Sequence, residues 1–120
     1  MIKQILLVGL GGGIGSVLRY FLQRLALNIY PHAFPWGTLV VNFAGCFLIG
    51  LVWARTATGS EDWRLFLMTG LCGGFTTFSA FTLESIGLLK DNRTSLFFMY
   101  VTASLLACML ATFVGLKFAR

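Results

Sequence analysis

Acidic side chains are scarce: four aspartates and glutamates stand against nine lysines and arginines, and charged residues of both signs make up only 11% of the 120 positions. A soluble domain carries about 25% charged residues, so an ordinary water-exposed globular surface is excluded. Histidine occurs once, as His32, in a loop beside Pro31 and Pro35. No second ligand lies near it, so it reads as an exposed loop residue, and no catalytic constellation is visible. The three cysteines, Cys46, Cys72 and Cys108, all lie inside apolar stretches. They lack both metal-ligand spacing and the even number of a disulfide framework, so they read as small packing residues. A cleavable signal is not expected either: the first apolar run is too long, and no small-residue cleavage site is followed by a soluble chain.

What the sequence does hold is apolar: 58% hydrophobic residues and a mean hydropathy of +0.85. A membrane helix needs about 20 mainly apolar residues. Four segments qualify, at about Ile5–Leu27, Gly37–Trp53, Leu65–Leu89 and Leu96–Leu116. The expected architecture is therefore an all-α membrane protein, a single four-helix transmembrane domain over residues 1–120. Asn28–Trp36, Arg55–Trp63 and Lys90–Arg93 are its loops.

Net charge is +5. Lysine and arginine at helix ends snorkel to anionic headgroups, which accounts for it; attraction of an anionic permeant is the alternative. Four spans put both termini on one side, with Lys3, Arg55, Arg64, Lys117 and Arg120. The other side has Arg19, Arg24, Lys90 and Arg93. Orientation follows such bias, and five against four is nearly balanced. Either the small excess fixes one orientation, or the chain inserts both ways. In the second case two opposed copies would pair about an axis in the membrane plane, a two-chain version of an inverted repeat. A lone bundle of this size has little interior to spare, so a dimer or larger assembly is expected if anything crosses.

Residues 70–81, Gly-Leu-Cys-Gly-Gly-Phe-Thr-Thr-Phe-Ser-Ala-Phe, interrupt the third span. Three glycines and three hydroxyl residues there predict a helix broken near its middle. Non-helical backbone at membrane depth survives only inside protein or along a watery path, and broken helices offer carbonyls and amides to ions. Small residues at four-residue spacing, Gly9/Gly13, Gly11/Gly15 and Gly70/Gly74, mark helix contact faces. Gly11–Gly15 is not a nucleotide loop, since that motif needs a preceding strand.

Several polar groups sit where lipid would penalise them. Asn42 is mid-span and shares a face with Thr38 and Gly45; it serves either an interhelical hydrogen bond or a donor to a passing anion. Tyr100, Ser104, Cys108 and Thr112 form a stripe at four-residue intervals, either back-bonded to their own helix or lining a path. Glu84 is the only acid deep in a span. Such residues are usually functional, although its place near the span end allows it to reach interfacial water. Phe75, Phe78 and Phe81 adjoin the break. Ring edges carry positive potential, so rings turned inward would hold a small anion weakly enough for it to leave.

Three blocks in order, Gly12–Tyr20, Gly37–Gly45 and Gly73–Phe81, resemble the Fluc (CrcB) family of bacterial fluoride channels, and the resemblance covers the whole chain. It implies a dual-topology antiparallel homodimer in the bacterial inner membrane, with two pores for passive fluoride export. It implies Asn42, Phe78 and Phe81 in each pore, and Arg19 near the vestibule. Thr77, Ser79, Tyr100 and Ser104 become candidates for a polar track, with Glu84 a possible pathway residue. It also implies a structural sodium ion on the dimer axis, held by the backbone carbonyls of Gly73 and Thr76 from both copies; carbonyl oxygens suit a hard cation. Ala80 and Cys108 stand where relatives often carry hydroxyls, which shortens the expected track. An alternative of similar size is a proton-coupled multidrug-type exporter of dual topology, but that class places an essential Glu in the first span, where this chain has no acid. A non-transporting scaffold would not need Asn42, the break and the stripe together.

Overall fold

The computed structural model describes residues 1–29 and 34–119; the readings of His32, Pro31 and Arg120 fall outside them. All regular structure among the described residues is helical: α1 (Ile2–Ile29), α2 (Trp36–Thr56), α3 (Glu61–Arg64), a π-helical run (Leu65–Cys72), α4 (Gly73–Phe75), α5 (Phe78–Lys90) and α6 (Thr94–Phe118). The pieces from Glu61 to Lys90 form one span, so four helical spans are long and apolar enough to cross a membrane. With large hydrophobic side chains exposed along every span, the protein is a multi-pass membrane protein. Its long axis of 48 Å matches a bilayer of about 40–45 Å including headgroups.

Each span runs a few residues past its apolar stretch, because polar end residues still satisfy helical backbone. The third starts at Glu61, where Ser60 caps the first turn by accepting from the Asp62 amide at 3.2 Å. Carboxylates in that turn suit the positive end of the helix dipole. Asp62 also meets Lys3 at 2.8 Å, joining two span ends on one side of the molecule.

The third span is broken, but not at its glycines. Gly70 lies in the π-helical run, and Gly73 and Gly74 are α-helical. The unwound residues are Thr76 (φ −86°, ψ 158°) and Thr77 (φ −148°, ψ 120°), and β-branched side chains tolerate that extended backbone well. The glycines serve packing instead. A Cβ on Gly74 would strike the backbone of Gly12, and one on Gly15 would strike the Leu71 carbonyl. Close backbone approach of this kind joins helices in lipid, and it brings α1 against the first half of the third span. By contrast, a Cβ on Gly9 or Gly13 would meet nothing from another element within 4 Å, so that expected contact pair is not used within the chain. α2 packs most extensively on α6, where Thr112 Oγ1 donates to the Cys46 carbonyl at 3.1 Å.

Candidate ion-binding site at the broken third span

Breaking a helix frees backbone groups, and their new partners define this site. The Thr77 amide, which would otherwise bond the Gly73 carbonyl, donates to Asn42 Oδ1 at 2.8 Å. Asn42 Nδ2 donates back to the Thr77 carbonyl at 3.0 Å. One side-chain amide therefore pairs with both backbone groups of one residue. The Ala80 amide, the helical partner of the Thr76 carbonyl, turns to Thr77 Oγ1 at 3.2 Å, so Thr77 caps α5. The Gly74 carbonyl receives Arg19 Nε at 3.0 Å. Thr76 back-bonds through Oγ1 to the Cys72 carbonyl at 2.9 Å, and its methyl group lies where a Cβ on Gly45 would stand.

Beside the break is a cavity of about 250 Å³ between α2, α5 and α6. Asn42, Thr76, Thr77, Phe78, Phe81 and Ser104 line it, with the sulfur side chains Cys46, Cys108 and Met109 and with Leu105. No formal charge is among them. The Phe78 and Phe81 ring centroids are 5.6 Å apart. Phe81 is buried at 8% exposure, while Phe78 stands at the open side at 73%. Ser104 is buried, and its hydroxyl has no hydrogen-bond partner among the described residues. Its Oγ is itself covered, so it sits in the wall beside the cavity with no partner of its own.

Five residues expected to form a path, Asn42, Thr77, Phe78, Phe81 and Ser104, thus meet around one space. Ser79, Tyr100, Arg19, Gly73 and Glu84 do not line it. Ser79 is exposed, with its Oγ 3.4 Å from Thr77 Oγ1. Arg19, expected to snorkel, is folded onto the break. Gly73 is exposed on the outer surface.

Glu84 belongs to a second space, and Tyr100 bonds to it without lining either cavity. Tyr100 is fully buried, touches Phe81 at 5.2 Å between ring centroids and donates to Glu84 Oε1 at 3.1 Å. Glu84 faces a cavity of about 470 Å³ together with Gln23, Thr38, Ala80 and Asp91. Gln23 Nε2 donates to Thr38 Oγ1 at 3.1 Å. The Phe81–Tyr100 pair lies between the two spaces, and the polar stripe of α6 divides accordingly: Tyr100 bonded to Glu84, Ser104 and Cys108 on the first cavity, Thr112 bonded to α2. Sequence reading missed Gln23 and Met109. Gln23 stands four residues after Arg19 and shares its helix face, a signal that was available; nothing in the apolar run around Met109 distinguishes it.

Known proteins provide the remaining comparison. Residues 6–116 match the family described as CrcB-like protein, Camphor Resistance (CrcB). A protein of Rhizobium etli named fluoride-specific ion channel FluC is 48% identical over 120 residues, covering 98% of this chain and 96% of that protein. Proteins of the same name from Flavobacterium psychrophilum and Phocaeicola vulgatus are each 46% identical, over 122 and 119 residues. They cover 98% and 95% of this chain, and 98% and 96% of their own lengths. With a match of this extent and with four membrane-length helices, the chain belongs to the CrcB-like family.

Proposed function

We propose that this protein is a fluoride-selective channel that lets fluoride leave the cytoplasm passively across the bacterial inner membrane. Relatives sharing nearly half of its residues carry that name. The observation that carries the reading in this chain is the uncharged cavity at the break, where Asn42, Phe78, Phe81 and the unpartnered Ser104 hydroxyl converge. A small anion entering it exchanges part of its hydration for the Ser104 and Thr77 hydroxyls and for the second Asn42 N–H, since only one of the two is used by Thr77. Ring edges of Phe78 and Phe81 add a weak positive field. No fixed cation holds the ion, which suits passage rather than storage.

The working unit we propose is an antiparallel homodimer with two such pores. Phe78, Gly73, Gly9 and Gly13 are exposed on the single chain, and a second copy would cover them. A structural sodium ion at the axis fits this arrangement. The Gly73 and Thr76 carbonyls have both lost their helical amides, one to Asn42 and one to Thr77 Oγ1. Neutral peptide oxygens are the donor type a hard monovalent cation takes. When bound, the ion would neutralise carbonyl dipoles brought together at the interface.

Fluoride-loaded liposomes containing the purified protein test the reading. Efflux of fluoride with chloride retained is the expected result. Equal passage of both anions, or proton-linked exchange of a hydrophobic cation in place of fluoride flux, would overturn it.

A further inference from the structure

The cavity at the break carries a second kind of chemistry. Cys46 on α2 and Cys108 on α6 both line it, and Met109 joins them. Their side chains open on the same small space from two helices packed against each other. Their helices are locked in register at this level: Thr112 donates to the Cys46 carbonyl itself, and one turn further Gly50 and Gly115 meet backbone to backbone. Both cysteines are free and half-buried. The third, Cys72, is buried at 2% exposure and does not line the cavity.

Two facing thiols with an adjacent thioether make an all-sulfur donor set, and soft sulfur ligands select soft cations such as Cu(I) over hard ones. We propose that Cys46 and Cys108, assisted by Met109, form a binding site for a thiophilic metal cation in the wall of the cavity. Binding replaces two S–H bonds by two S–metal bonds and releases two protons for each metal held by both thiolates. No oxidant is required. A metal there occupies the space shared with Asn42, Phe78 and Ser104, so it obstructs whatever passes. Obstruction of flux rests on the channel reading above; binding does not, and the two are measured separately.

The probe is silver(I), added as its nitrate in chloride-free and thiol-free buffer to the purified full-length protein. Native mass spectrometry and the ultraviolet silver–thiolate absorption read binding. Cys46→Ser, Cys108→Ser and the double substitution are compared with Cys72→Ser, each first checked for wild-type elution on size exclusion. Met109→Leu tests the thioether without touching a thiol. The expected result is one silver per chain in the wild type and in Cys72→Ser, lost in the double variant and weakened about tenfold or more in each single variant and in Met109→Leu. In liposomes, silver should cut wild-type fluoride efflux about tenfold while leaving the double variant's own efflux unchanged by the metal. No silver on the wild type, or equal binding by the double variant, overturns the site. Binding through these thiols with undiminished efflux overturns its place in the path. Binding by a protein that passes no fluoride at all supports the site and removes the channel reading.

Discussion

Asn42 holds Thr77 through both ends of its amide, so its replacement is structural as well as functional. Asn42→Ala leaves a backbone donor and acceptor unpaired beside the cavity, and each such loss costs about 1–3 kcal/mol. Fluoride efflux and the unfolding temperature should therefore fall together. Asn42→Asp keeps an acceptor for the Thr77 amide, loses the donor and brings a carboxylate to the proposed anion path, so its efflux should fall further than its stability. Thermal unfolding by intrinsic fluorescence, run beside liposome efflux, separates the two effects; a wild-type melting curve for Asn42→Ala would undo the clamp. The phenylalanines divide differently. Phe78 is mostly exposed and Phe81 is buried against Tyr100. Phe78→Ile should cut efflux with little change in stability, whereas Phe81→Ile should lower both, with about 1 kcal/mol or more of lost packing. Equal melting temperatures for the two would contradict that division.

Among the elements, the third span decides the site, and its break depends on side chains from its neighbours. Thr77 caps α5, and Thr77→Val should cost about 0.5–2 kcal/mol and shift the start of α5, visible as slower efflux and faster amide exchange around residues 77–80. Gly45→Ala should do comparable damage from α2, since its new methyl overlaps the Thr76 side chain; wild-type efflux from that variant would show that the break tolerates displacement. The break and its place within residues 70–81 were legible in the sequence, but not which of those residues unwind. Glycine is the usual marker of unwound backbone, and here Gly70 and Gly74 serve contact with α1, while two threonines unwind. Threonine reads as an ordinary span residue unless a capping partner is known, and Asn42 is 35 positions away. The π-helical run Leu65–Cys72 carries no sequence mark either, because its apolar residues suit an α-helix equally.

At the scale of the molecule, the number of spans and their lengths followed directly from hydropathy, since lipid imposes one requirement on every span. The cavity followed only in part. Asn42, Thr77, Phe78, Phe81 and Ser104, grouped by the family resemblance, line one cavity, whereas Glu84 lines a separate one beyond the Phe81–Tyr100 pair. Helical periodicity gives a face but not the depth at which the face is interrupted. The antiparallel dimer proposed above has its own consequence. Appending lysines after Arg120 together with Thr58→Lys should drive insertion one way, and efflux should collapse until a copy biased oppositely by Thr94→Lys and Ser95→Lys is co-expressed. Protease access to a terminal tag from both membrane faces reads the orientation, and undiminished efflux from a fully one-way population would exclude opposed pairing.

The first half of the third span is moored to α1 by Arg19 at Gly74, and the second half to α2 by Asn42 at Thr77. Neither half is tied across the gap to the other by these two stays. Bilayer thickness acts on helix tilt, so a host membrane that tilts α1 against α2 would load these two stays, and through them the unwound pair Thr76–Thr77.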